Sequence, residues 1–404
     1  MKLAITCNGP GETAGWLRPL LRELYRQAPD AAVFVCYVPD LYANGGEPEY
    51  VRGLFPQAHV YDAKTYLKTI FGGSIEGMPG SVDATLYLGG DLMHAARLHK
   101  KLGGKLATYR FTRRKYARLT DRAFAIDAKN ARELVKGGMD AARVHVIGNL
   151  AIDGAHAEAA AAPEAGAPVD GILFMPGSRK YEVENLIPFF FTAALAIRRE
   201  DPAMPIAFGI SPFTHVSDVR AAIEAGGDKR VYSKRGRVIE TPDGPALSSL
   251  DGLQTFPILR NALAAAKQAR LTVTLPGTKV IELAAIGAPV LSCTPLNAAE
   301  LVTFNGPLAY ADRIPFIGRS IKRLVATRIS ERFRFHTQPN MDAGREIVRE
   351  LHGTLTPGRV ARVALELWAD KAWLAESAEA LRSLYTEHVG AAGRMARGLL
   401  EVHS

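Results

Sequence analysis

Cysteine is scarce, with Cys7, Cys36 and Cys293 the three in 404 residues. An odd number cannot all pair, and Cys7 and Cys36 stand in apolar runs that read as buried strands. A disulfide scaffold is excluded and a reducing cytoplasm is expected. Long apolar runs are missing too. The longest, LIPFFFTAALAI from Leu186 to Ile197, falls short of the roughly 20 residues that span a bilayer. The opening MKLAITCNGPGE breaks at a Gly-Pro turn after a few apolar residues, unlike a secretory signal. Metal-ligand spacing is lacking. His94, His99, His145, His156, His215, His336 and His352 are scattered, and surface or structural roles are their default. No zinc-finger spacing, RNA-recognition signature or DNA-binding helix-turn-helix stands out, which argues against nucleic acid as a partner.

What is present is 48% apolar and 23% charged, too hydrophobic and too weakly charged for a disordered chain. Fifty basic against 41 acidic residues leave +9, a balance that suits an anionic partner. The length fits two domains. Apolar runs at 2–7, 32–38, 84–88, 105–109, 122–126 and 143–147 predict strands. Stretches with helical spacing, such as Trp16, Leu17, Leu20, Leu21, Leu24 and Tyr25, fall between them. Buried strands alternating with helices imply a parallel sheet. The small-residue stretch AHAEAAAAPEAGAP allows a short helix, but standing between two alternating patterns it reads as a linker at 155–169. The alternation then restarts with strands predicted at 170–174, 206–210, 271–274 and 289–292, a helix at 182–199, and helices from 357 to the end. The expected division is 1–154, linker, 170–356, and a helical tail 357–404 that returns to brace the first domain.

Three segments carry candidate chemistry. Phe174-Met175-Pro176-Gly177-Ser178-Arg179 follows a strand and opens a helix. Such a turn offers backbone N–H groups and a helix N-terminus to an anion, with Arg179 as a planar donor fork. It equally describes an ordinary strand-to-helix turn with a solvated arginine. Leu275-Pro276-Gly277-Thr278-Lys279-Val280-Ile281-Glu282 repeats that context. Glu282 is placed to accept from ribose hydroxyls, or else simply favours the first turn through the helix dipole. Two such turns in one half make a better nucleotide signal than either alone. The third segment, 338–351, reads as a Pro-Asn turn before a charged amphipathic helix, capped by Asn340 or Asp342.

FMPGSRKYEVENLIPFFFTAA, GTKVIELAAIGAPV and QPNMDAGREIVRELHGTLTP fall in the same order as similar stretches of bacterial lipid A disaccharide synthases. Those enzymes are inverting glycosyltransferases of the GT-B fold. LGGDLMHAARLHKKLGGK, the basic stretch 109–127 and Val146-Ile147-Gly148-Asn149 resemble the family more loosely. The resemblance implies two Rossmann-like doubly wound domains facing a central cleft, and a UDP-sugar donor held by the second. Gly177, Ser178 and Arg179 would cradle the diphosphate, assisted by Gly277 and Thr278. Glu282 would take the ribose, while Asn340, Arg345 and Glu346 would line the donor site. In the first half, Gly11-Glu12-Thr13-Ala14-Gly15 resembles the family's G-E-A-S-G loop. Gly11, Thr13, Gly15 and Asn149 would then face the acceptor. Inverting transfer needs a base for the acceptor hydroxyl, with Asp91 the first candidate and Glu12 the second. Arginines, helix N-termini and backbone donors suffice for a departing diphosphate, so neither metal nor cofactor is expected.

The departures gather in the first half. Ala14 stands for serine, Trp16 for aspartate, Leu92-Met93 for Phe-Asn, and Asn149-Leu150 for His-Pro. The acceptor, expected to be a lipid or lipid-linked sugar, is therefore less determined than the donor. Between Arg313 and Arg334 lie seven basic residues and one acidic, interleaved with apolar ones. Arg319, Lys322 and Arg323 there would meet an anionic bilayer, or the segment is a solvated helix packed by its apolar stripe. The reading is a cytoplasmic glycosyltransferase, peripheral on the membrane, moving an N-acetylhexosamine-type sugar from UDP. The alternatives are a UDP-sugar epimerase or hydrolase on the same fold, and a non-catalytic nucleotide-sugar or lipid-binding protein.

Overall fold

A computed structural model describes residues 1–40, 45–71, 73, 76–297 and 334–402. The chain divides into two compact units, Met1–Ala157 with Thr386–Ser404, and Glu158–Tyr385. Among the described residues, the first unit holds a seven-stranded sheet. Its strands are β1 (Lys2–Cys7), β2 (Ala32–Tyr37), β3 (His59–Tyr61), β4 (Ala84–Tyr87), β5 (Lys105–Tyr109), β6 (Arg122–Ala125) and β7 (Val144–Val146). They run parallel in the order β3-β2-β1-β4-β5-β6-β7. The central strands are buried along nearly their whole length, because helices cover both faces of a parallel sheet. β1 is paired by β2 on one side and β4 on the other, so chain direction across the sheet reverses between β1 and β4.

The second unit holds β8 (Ile172–Met175), β9 (Ile206–Gly209), β10 (Arg237–Thr241), β11 (Gly244–Ser248), β12 (Thr255–Leu259), β13 (Leu271–Thr274), β14 (Val290–Pro295) and β15 (Arg349–Gly353). Their order is β10-β11-β12-β9-β8-β13-β14-β15. Direction reverses here between β8 and β13. The helix Lys180–Glu200 lies at the centre of this unit, with Phe189, Phe190 and Phe191 all buried. Phe174, Phe190, Phe208 and Phe256 form a chain of ring contacts through the core. Aromatic burial of this size dominates a core's stability.

Four expectations need correction. β10 and β11 form an antiparallel hairpin with β12 at the sheet edge, where no strands were expected. The Pro242-Asp243-Gly244 turn between two short runs is the local signal for it. The segment 338–351 is not one helix. A short helix, Gln338–Ala343, stops at Gly344 in the left-handed conformation, φ 65°, and β15 follows, pairing with β14. The 155–169 linker is partly helix, since the alanine-rich stretch extends Leu150–Ala159. Beyond it Glu164 accepts from the backbone N–H groups of Arg260, at 2.7 Å, and Asn261, which fixes the loop to the second unit. Finally, the return to the first unit starts at Thr386 rather than at residue 357.

The helix Pro357–Ala369 buries Val360, Ala361, Ala364 and Leu367 in the second core, and Trp368 Nε1 donates to Asp170 O at 2.9 Å. Only the last helix, Ala391–Val402, joins the first core, through Ala391, Ala392, Met395, Ala396 and Leu399. Asp153 fastens its start, accepting from Gly390 N and Ala392 N at 2.7 Å each. No helix among the described residues is long and apolar enough to cross a membrane. Arg319, Lys322 and Arg323 lie outside the described residues.

Candidate functional site

Ligands of open α/β sheets bind beyond the carboxyl ends of the strands where strand order reverses. In the second unit that point lies between β8 and β13, and the two turns singled out in the sequence leave those two strands. Thr274, the last residue of β13, stands opposite Met175, the last of β8, and its Oγ1 donates to Met175 O at 2.9 Å. Two turns a hundred residues apart in sequence therefore start side by side.

The first turn differs in detail from its expected use. Glu182 Oε2 accepts from Ser178 N at 2.8 Å and Arg179 N at 2.9 Å, closing a capping box with its own helix. These N–H groups are thus engaged by a carboxylate, and the Arg179 guanidinium is half exposed. Gly177 has φ 96°, and a Cβ there would collide with the Glu182 carboxylate, so glycine is required. In the second turn Gly277 has φ 151° and precedes the helix Thr278–Ala285 with no side chain to cap it. Glu282 is buried, 5% exposed, with the Lys279 ammonium against its Oε2.

Asn340, expected at the donor site, is placed inside the second unit's core. It is fully buried, its Nδ2 donates to Val348 O and Glu350 Oε1, and its Oδ1 accepts from Ile347 N and Val348 N. That uses all four hydrogen-bonding positions of an amide. Glu350 in turn accepts from His336 N, Thr337 N and Thr337 Oγ1. Asn340 therefore joins the short helix to β15. Arg345 and Glu346 are exposed and paired with Glu376 and Arg349.

In the first unit the reversal lies between β1 and β4, and again the singled-out residues follow those strands. Pro10–Glu12, the π-helical Thr13–Leu17 and Arg18–Gln27 run on without a break. Such π segments concentrate at functional sites. Glu12 lies by the ends of β1 and β4. A Cβ on Gly9 would lie 2.8 Å from Asp40 Oδ2 and 3.3 Å from Glu12 Oε2, and one on Gly89 3.0 Å from Glu12 Cγ. Asp91 caps the helix Leu92–Leu102, Oδ1 accepting from Met93 N at 2.8 Å, and its Oδ2 is 3.6 Å from Arg113 Nη1. Burial, then the charges of Asp91 and Glu12, push the Tyr87 phenol up, so both carboxylates bear on one hydroxyl. Burial lowers the His94 pKa against the opposing pull of Asp91.

Other members of the first set have structural work. Thr13 is buried, donating to Gly9 O at 2.9 Å and sharing a hydrogen bond with Tyr37 Oη at 3.0 Å. Gly15 is buried in the π segment, and its carbonyl lies close to Gly154 of the neighbouring helix. Gly11 is exposed. Asn149 is buried and accepts from Ala151 N at 3.2 Å, capping the helix that follows β7.

Sequence reasoning missed a cavity of about 840 Å³ in the first unit, lined by residues including Asn8, Tyr37, Asp40, Glu47, Leu67 and Phe71. Asn8 Nδ2 donates to Asp40 Oδ2 at 3.3 Å, linking the cavity to the β1 end. The available signal was Asp40 just beyond the β2 strand end. Among the described residues no group of three or more His, Cys, Asp or Glu is placed to hold a metal.

No protein-family model matches the chain. A curated relative, the lipid-A-disaccharide synthase of Ruegeria pomeroyi, is 33% identical over 131 residues, which is 32% of this chain and 28% of that protein. The match thus spans less than a third of the relative's length. Among solved structures, the UDP-GlcNAc 2-epimerase of Neisseria meningitidis bound to UDP-GlcNAc superposes with a TM-score of 0.56. It is 14% identical and covers 99% of this chain and 100% of its own. The UDP-GlcNAc 2-epimerase of Methanocaldococcus jannaschii, in complex with UDP-GlcNAc and UDP, gives 0.55 at 14% identity with the same coverage. At such identity the likeness is one of fold, and the fold is a GT-B-type pair of Rossmann-like parallel-sheet domains.

Proposed function

We propose that this protein is an enzyme that acts on a UDP-linked sugar, its nucleotide held by the second unit where the turns at Gly177 and Gly277 leave β8 and β13. The observation that carries this reading is the adjacency of those two turns at the strand reversal. The full-length likeness to 2-epimerases bound to UDP-GlcNAc favours chemistry on the UDP-sugar itself, epimerisation or hydrolysis, over the transfer expected from the motifs. Arg179, Thr278 and the helix N-terminus at Gly277 are assigned to the diphosphate, Glu282 to the ribose, and Asp91 and Glu12 to proton transfer. Transfer to a lipid or lipid-linked acceptor is the second reading, favoured by the local identity to a lipid-A-disaccharide synthase.

Incubation with UDP-N-acetylglucosamine alone, followed by NMR, separates them. The first reading expects a second UDP-sugar, or free UDP with free sugar, to accumulate without any acceptor. Turnover that begins only when a membrane lipid extract is added would replace it with transfer.

A further inference from the structure

The two turns are alike beyond their position. Met175-Pro176-Gly177-Ser178-Arg179-Lys180-Tyr181-Glu182 and Leu275-Pro276-Gly277-Thr278-Lys279-Val280-Ile281-Glu282 share one pattern. An apolar residue, proline and glycine are followed by a hydroxyl, a cation and, three residues on, a glutamate. Both glycines have positive φ. In both, the glutamate holds the cation of its own turn. Arg179 Nη1 lies 3.9 Å from Glu182 Oε1, and Lys279 Nζ lies against Glu282 Oε2. Because β8 and β13 are parallel, adjacent and paired at their ends, the copies are related by one interstrand step of about 4.8 Å.

Cations are disfavoured at a helix N-terminus, where the dipole is positive. Here one stands at each of two neighbouring helix starts, Arg179 as the cap residue of one and Lys279 in the first turn of the other. A dianionic group between the turns reverses that cost, answering both cations and the uncapped start at Gly277 together. Lys279 is also the counter-charge of the buried Glu282 carboxylate, a role that does not itself call for a second cation at the neighbouring helix start. We infer that Lys279 is a diphosphate-binding residue, the counterpart of Arg179, so that one cation from each repeated turn grips the diphosphate. This rests on the UDP-sugar reading and adds to it a residue to which the motifs assign no role.

Titration calorimetry with uridine, UMP and UDP on wild type, Lys279→Met and Lys279→Arg tests it. A charge-assisted hydrogen bond predicts that Lys279→Met weakens UDP by about 10- to 100-fold, weakens UMP less and leaves uridine unchanged, with Lys279→Arg restoring most of the loss. If Lys279→Met melts early because Glu282 loses its counter-charge, the Lys279→Met/Glu282→Gln pair removes both charges. The ratio of UDP to uridine affinity is then read in that protein. Unchanged UDP affinity, or equal losses for all three ligands, overturns the inference while wild-type UDP binding leaves the nucleotide reading standing. A wild type that binds none of the three overturns both.

Discussion

Asp91→Asn is expected to lower turnover of a UDP-sugar by about 10²- to 10⁴-fold, the usual contribution of a general acid or base, with UDP affinity unchanged. The substitution separates the proposed proton transfer from the helix cap that Asp91 provides. Its Oδ1 caps the helix Leu92–Leu102, and asparagine caps a helix as well as aspartate does. The fold is therefore retained while the ionisable oxygen facing Arg113 is replaced. Asp91→Ala removes the cap too, and should cost about 0.5–2 kcal/mol of stability besides. Equal activity in Asp91→Asn and wild type would reduce Asp91 to a cap and move the role of base to Glu12. The Asp91 carboxylate is exposed, so its pairing with Arg113 contributes little to stability.

Arg179→Ala is the second large effect. Its guanidinium is half exposed and 3.9 Å from Glu182, so its loss leaves the fold intact: the Glu182 bonds that hold the turn come from backbone N–H groups. UDP affinity should fall by about 10- to 100-fold, the value of a charged hydrogen bond to phosphate, with an unchanged unfolding midpoint in the absence of ligand. Calorimetry of the variant with UDP checks it. Wild-type affinity would assign the diphosphate elsewhere.

Much of this was legible in the residues. Buried parallel strands announce themselves as apolar runs, so the strands at 2–7, 32–38 and 170–174 were recognisable to within two residues of their observed bounds, and the turns after β1, β8 and β13 could be marked by their glycines. That these particular strands flank the two reversals was not legible, because strand order is a long-range property. Side-chain partners were less readable still. Nothing local distinguishes an Asn340 that faces a ligand from one whose four hydrogen-bonding positions are used inside the core. Likewise a turn whose N–H groups await a phosphate has the sequence of one already engaged by Glu182. The charged run 344–351 looked helical through its glutamates and arginines, yet Gly344 stops the helix and β14 recruits Arg349–Gly353 as a strand. Asp40 escaped notice because only the fold brings it beside Glu12.

The central claim, that the second unit holds a uridine diphosphate, is tested most directly by the unfolding midpoint of the wild-type protein with UDP, UDP-N-acetylglucosamine and UDP-glucose, against ADP and CDP. A ligand that binds only the folded state adds about 2.7 kcal/mol at 100 times its dissociation constant, so the UDP compounds should raise the midpoint and the controls should not. No shift with any nucleotide, or the same shift with ADP and CDP, would contradict the account.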